Sequence, residues 1–278
     1  MQQIDDSRIE RIANEPWYVS SRASQIDRFA RCLKLIESEG WSPRRVYDVG
    51  CANGQFSLLL TNLKAHVTGI DINCERVRDN QLKYSSVQGL DFQCEDFLTA
   101  GHMENEADLV TALEVIYYFS AEQQQLFFQK TYEVLKPGGR ILLSANIFFT
   151  SHLSEESLLN LISSRFHVIK TDKIYRKLYY CFELPLIKLL DQIKYLENLR
   201  IFSPNILRLN RRFFPGLWNY LLLRPSYFMD RFLLPGVRVI LIKLLESMSI
   251  YKLITEITRV LCPRKGQSQL IIIAEKSL

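Results

Sequence analysis

From residue 45 onward, short runs of β-branched and apolar residues alternate with longer stretches in which apolar positions recur every third or fourth residue. The short runs, bounded by turn residues, read as strands, and the periodic stretches read as helices. On this pattern Arg45–Val49 is a first strand, 55–63 a helix, 66–70 a second strand, 73–83 a helix and Leu90–Cys94 a third strand. Strands follow at 107–112, 140–145, 166–175 and 269–274, with helices over 121–135 and 154–163. Lys136-Pro137-Gly138-Gly139 reads as a helix stop followed by a turn. The alternation predicts an α/β fold built on a doubly wound, seven-stranded, mostly parallel sheet.

Two regions fall outside that rhythm. Residues 1–40 are expected to form an N-terminal helical segment, with helix-like spacing over 23–38, before a core spanning 41–177. Residues 178–264 are an insertion before the last strand, in 265–278, and are too long for a plain connection. Pro185, Pro204, Pro215, Pro225 and Pro235 divide the insertion into helix-sized pieces, and 236–261 reads as one long helix.

Charge marks the same region. Residues 173–265 hold 17 basic and 6 acidic residues, against 18 and 24 in the remainder, within a net charge of +5. A basic, amphipathic segment carrying Phe213, Phe214, Trp218 and Tyr220 reads either as a helical cap or as a peripheral membrane contact. No run reaches the roughly 20 apolar residues of a spanning helix, and no signal peptide is visible. The expected location is cytoplasmic, at most peripheral to the inner face of a membrane. The six cysteines form no C-x-x-C pair and read as small reduced core residues, with no metal site.

The chemistry gathers at strand ends. Asp48-Val49-Gly50-Cys51-Ala52-Asn53-Gly54 is a glycine turn between a strand and a helix, where a ligand approaches the backbone closely. Asp71 ends the second strand at the spacing from which an acid reaches ribose hydroxyls. Asp96, after the third strand, suits an exocyclic amine, and Phe97 suits a flat ring. These stretches, with 107–119 and the Leu-Lys-Pro-Gly-Gly-Arg segment, resemble class I S-adenosylmethionine-dependent methyltransferases over about 45–145. Cys51-Ala52 and 114–119 are similar to a subgroup of nodulation-type N-methyltransferases, in which alanine replaces the family's middle glycine.

The resemblance implies that S-adenosyl-L-methionine is the cofactor. It places Gly50 and Gly54 at the methionine part, Asp71 at the ribose, and Asp96 with Phe97 at the adenine. Asp48 either orients the turn or meets the cofactor's amino group, and Cys51, Ile72 and Glu114 complete the surroundings. The acceptor is expected beside Tyr117 and Tyr118, with Trp17 and Tyr18 closing over it and Tyr118 and His152 as catalytic candidates. His66 and His167 belong to strands and read as structural. Many O-methyltransferases of the family carry histidine where this chain has Tyr118.

The expected function is methyl transfer to nitrogen or oxygen of a small-molecule, glycan or glycolipid acceptor. A nicotinamide-dependent oxidoreductase is the alternative, although Gly-x-Gly-x-x-Gly is absent after the first strand. A non-catalytic cofactor-binding or membrane-surface module is another. Nucleic acid is disfavoured, because the acceptor side lacks an Asn/Asp-Pro-Pro-aromatic motif.

Overall fold

The computed structural model describes residues 22–38, 40–101, 104–147, 154–199, 234–262 and 268–276. Helix α1 (Ala23–Glu37) precedes β1 (Arg45–Val49), α2 (Gln55–Leu60), β2 (His66–Asp71), α3 (Cys74–Lys83) and β3 (Leu90–Cys94). Then come β4 (Ala107–Leu113), a 3-10 turn (Ile116–Tyr118), α4 (Ala121–Val134), β5 (Leu135–Asn146), α5 (Glu155–Ser163) and β6 (Phe166–Ile174). Helices α6 (Lys177–Leu199), α7 (Leu234–Glu246) and α8 (Met248–Leu261) lead to β7 (Gln269–Lys276). Trp17, Tyr18, His152 and the aromatic cluster around Trp218 lie outside the described residues.

The described residues fall into two compact units, one within 27–177 and 257–276 and one formed by 22–26, 178–199 and 234–256. In the first, seven strands lie in the order β3-β2-β1-β4-β5-β7-β6. Strands β1 to β5 are mutually parallel, and β7 runs antiparallel to both its neighbours. The inner strands β1, β2, β4 and β7 are buried almost throughout because both sheet faces are covered, whereas the edge strands β3 and β6 expose polar residues such as Asp91, Gln93 and Lys170. Val46 packs with Ile36, Leu60 and Phe92 on one face, while Tyr47 and Val49 pack with Phe127 and Phe128 on the other. The carboxyl ends of β1 and β4 are neighbours at the point where the strand order reverses, the place where open α/β sheets bind ligands.

Capping explains several boundaries. Asn73 accepts from the Arg76 N–H and starts α3, and Ser120 and Ser154 form capping boxes with Gln123 and Ser157. Lys136-Pro137-Gly138-Gly139 does not precede β5 as a turn but bulges within it. Ala107 pairs with Leu135 and Leu109 with Arg140, and Gly138 takes φ 74° at the bulge. The helix expected over 236–261 is two helices. Ser247 interrupts it, accepting from Ile250 N–H with its hydroxyl and from Tyr251 N–H with its carbonyl. Pro185 does not end a helix; it lies inside α6.

The second unit has its own small core. Tyr179 meets Tyr251 edge-on at 4.9 Å beside Phe182, and Ile187, Leu190, Leu241 and Leu245 form a further cluster. The buried Glu183 carboxylate accepts from Arg22 and Ser24. Leu253 on α8 is 63% exposed to solvent. Among the described residues, no helix is long and apolar enough to cross a membrane.

The cysteine expectation is corrected. Cys32 and Cys51 are buried thiols, but Cys74 on the surface of α3 is disulfide-bonded to Cys94 at the end of β3. Parallel pairing of β2 with β3 brings together two residues that no short spacing connects.

Candidate functional site

The turn after β1 is held from below by β2. Gly50 and Cys51 both donate their N–H to the Ile70 carbonyl, at 2.8 and 3.1 Å, and Gly54 donates to Cys51 at 2.9 Å. Gly50, Ala52 and Gly54 have φ of 71°, 48° and 71°, so the turn passes three times through the left-handed region. Glycine enters that region freely, whereas alanine does so at a cost of about 1 kcal/mol. The Ala52 conformation is fixed from both sides. Its N–H donates to Asp71 Oδ2 at 2.9 Å, and its carbonyl accepts from the buried Asn80 side chain at 2.7 Å.

Asp71 is the central acid of this arrangement. Its Oδ1 accepts from Asn73 N–H at 2.9 Å, so the two backbone donors fix both oxygens. A carboxylate offers about four lone-pair positions, so each oxygen can accept once more, as a vicinal diol requires. Ile72 follows, nearly buried, and Glu95 N–H donates to the Asp71 carbonyl at 3.2 Å. Asp96 is half-buried and accepts from Leu98 N–H at 3.1 Å, starting a turn. This donor set suits an adenosyl cofactor: a glycine turn at a helix start, an acid for the ribose and an acid for the adenine.

The Phe97 ring is 2% exposed and packs on Phe127 at 5.7 Å. The Cys51 thiol is buried, and burial pushes its pKa well above the ordinary range.

Asp48 points into the sheet. It is 2% exposed and accepts from Ser57 Oγ at 2.6 Å and Thr111 Oγ1 at 2.7 Å, joining β1 to α2 and β4. Burial pushes its pKa up to about 6, with the two hydroxyl bonds opposing and the Asp71 charge adding. Because the folded pKa lies above that of the unfolded chain, the native state binds the extra proton. This carboxyl therefore destabilises the fold increasingly as pH rises from about 4 through about 6, by roughly 2–3 kcal/mol in all. Asp48→Asn removes that slope. In urea unfolding the stability difference, variant minus wild type, is expected to grow by this amount between about pH 4 and about pH 7. A difference that does not change with pH would contradict the assignment.

Glu114, at the end of β4, takes φ 61° although it is not glycine, and strain of this kind persists where surrounding contacts over-determine it. Its Oε1 accepts from Ser144 Oγ at 2.8 Å and from the Gln269 amide, and lies 3.6 Å from Arg28. Its Oε2 accepts from the Tyr117 hydroxyl at 3.3 Å. Tyr117 and Tyr118 are half-buried on the 3-10 turn with ring centres 4.7 Å apart. Arg28, Ser144 and Gln269 were not foreseen. They come from three distant segments, and the sole local signal was one serine and one glutamine in very apolar strands. Gly50 packs against the same loop, since a Cβ there would lie 2.3 Å from Val115 Cγ2.

A family described as Methyltransferase domain matches residues 47–143. Phosphoethanolamine N-methyltransferase of Plasmodium falciparum is 32% identical over 101 residues, 36% of this chain and 38% of that protein. Ubiquinone biosynthesis O-methyltransferase of Aeromonas salmonicida is 29% identical over 111 residues, 39% of this chain and 45% of that protein. The chain thus spans less than half the length of either relative. The crystal structure of N-methyltransferase NodS from Bradyrhizobium japonicum, in complex with S-adenosyl-l-homocysteine, superposes with a TM-score of 0.53 at 20% identity. It covers 60% of this chain and 88% of that one, and the likeness is one of fold.

Proposed function

We propose that the chain is a class I S-adenosylmethionine-dependent methyltransferase, on the match of residues 47–143 to a methyltransferase domain family, and that it methylates the amine nitrogen of a small molecule. The Glu114 carboxylate carries this reading. Ser144, Gln269 and Arg28 all address Oε1, which leaves Oε2, beside Tyr117, to accept an N–H from the incoming acceptor. An anion held in this way suits an ammonium group, which it attracts and from which it accepts a hydrogen bond as the proton is given up. A hydroxyl needs a stronger base and gains less from the charge.

When bound, S-adenosylmethionine supplies an electrophilic methyl group. Asp71 holds its ribose, Asp96 its adenine, and the turn from Gly50 to Gly54 its methionine part. The residues around the reaction then have mainly positioning to do: Glu114 aligns the nitrogen, and Tyr117 and Tyr118 wall its approach. The relatives include both an N- and an O-methyltransferase, so the choice of nitrogen rests on Glu114.

Methyl-labelled S-adenosylmethionine tests this with phosphoethanolamine, glucosamine and a chito-oligosaccharide bearing a free amine, each beside its hydroxyl-only analogue. Label is expected in at least one amine and in none of the analogues. Label confined to hydroxyl compounds would sink the amine reading.

A further inference from the structure

The segments that follow β2 and β3 run side by side: Cys74 opens α3 just after the first, and Cys94 ends β3 just before the second. Asp71 is the register partner of Cys94, and the Cα atoms of Cys74 and Cys94 are 5.0 Å apart across a sequence separation of 20. That spacing is inside the range a disulfide spans, and the two sulfurs are joined. Reagents can reach the pair, because Cys74 is exposed and Cys94 half-buried; of the cysteines outside the disulfide, Cys32 and Cys51 are buried, Cys181 is exposed and Cys262 half-buried.

What the bond connects gives it meaning. Cys74 follows Asn73, whose N–H holds Asp71 Oδ1 and whose side chain caps α3. The other Asp71 oxygen holds Ala52 in the glycine turn. Cys94 precedes Glu95 and Asp96, and Glu95 N–H is bound to the Asp71 carbonyl. One covalent link therefore fixes the segment carrying the ribose acid relative to the segment carrying the adenine acid.

We propose that Cys74 and Cys94 form a reversible thiol–disulfide modification site, whose co-reactant is a low-molecular-weight disulfide of the glutathione class. In its disulfide form the protein binds the adenosyl cofactor more tightly. The inference rests on the assignment of Asp71 and Asp96 to the adenosine. In the oxidation, the thiolate of one cysteine attacks a sulfur of glutathione disulfide, breaking that S–S bond and releasing one glutathione. The second cysteine sulfur then attacks the resulting mixed disulfide at the first cysteine and expels the second glutathione. Two electrons pass from the cysteines to glutathione, and the two thiol protons end on the released thiols. The linked loops lose less conformational freedom on binding than the dithiol does, which corresponds to about a fivefold difference in Kd.

The test titrates the full chain with S-adenosylhomocysteine after treatment with glutathione disulfide or with a phosphine reductant, while peptide mass spectrometry reads the linkage. The proposal expects a Cys74–Cys94 peptide in the oxidised sample only, with about fivefold tighter binding there. Cys74→Ser and Cys94→Ser are each expected to bind equally under both treatments. Equal affinity of the two wild-type forms, absence of the linked peptide, or redox dependence surviving in either variant would overturn it. Absence of binding in both wild-type forms is a separate result, because it removes the cofactor assignment on which the proposal rests.

Discussion

Replacing Asp71 with alanine is expected to weaken S-adenosylhomocysteine binding by about a hundredfold, or ~3 kcal/mol. The size follows from what the carboxylate does in the fold. One oxygen holds the Ala52 N–H and the other the Asn73 N–H, so alanine releases the glycine turn and the start of α3 together. It also removes the acceptor proposed for the ribose diol. Asp71→Asn separates the two contributions. The amide keeps one carbonyl oxygen for a backbone donor but presents an N–H where the other donor stands, so an intermediate loss is expected. Calorimetric titration of both variants reads the effect. Wild-type affinity in Asp71→Ala would show that the ribose binds elsewhere.

Gly50→Ala is expected to cost about 2–4 kcal/mol of stability and to abolish measurable cofactor binding. Two separate penalties add. Alanine at φ 71° is disfavoured by about 1–2 kcal/mol, and its Cβ would stand 2.3 Å from Val115 Cγ2. Relief of the clash moves either the turn or the loop that carries Glu114, and both border the proposed site. The double variant Gly50→Ala with Val115→Ala removes the contact and keeps the backbone penalty, so about half of the lost stability should return. Denaturant unfolding of the three proteins measures this. Full recovery would assign the whole effect to the contact, and no recovery would assign it to the backbone.

The sheet was legible in the sequence because its strands are short, apolar and punctuated by strong turn signals. Leu90–Cys94 and Arg45–Val49 have the bounds read from the pattern. The acids at successive strand ends were legible for a related reason: in a parallel sheet, position along a strand fixes which edge a residue reaches. Features that depend on pairing between distant segments were hidden. Gln269 reaches Glu114 because β7 inserts between β5 and β6, a placement that no local pattern encodes. Cys74 meets Cys94 because β2 and β3 pair in one particular register. The bulge in β5 was misread because a Pro-Gly-Gly run signals a turn whether it lies outside a strand or within one. The Phe97–Phe127 contact joins the turn after β3 to α4, another pairing of distant segments that no local pattern encodes.

The measurement that bears most directly on the account is calorimetric titration of the full wild-type chain with S-adenosylhomocysteine, run beside NAD under the same conditions. Saturable binding of one S-adenosylhomocysteine per chain, with no heat from NAD, is the predicted result. Saturable binding of NAD with none of S-adenosylhomocysteine would contradict it.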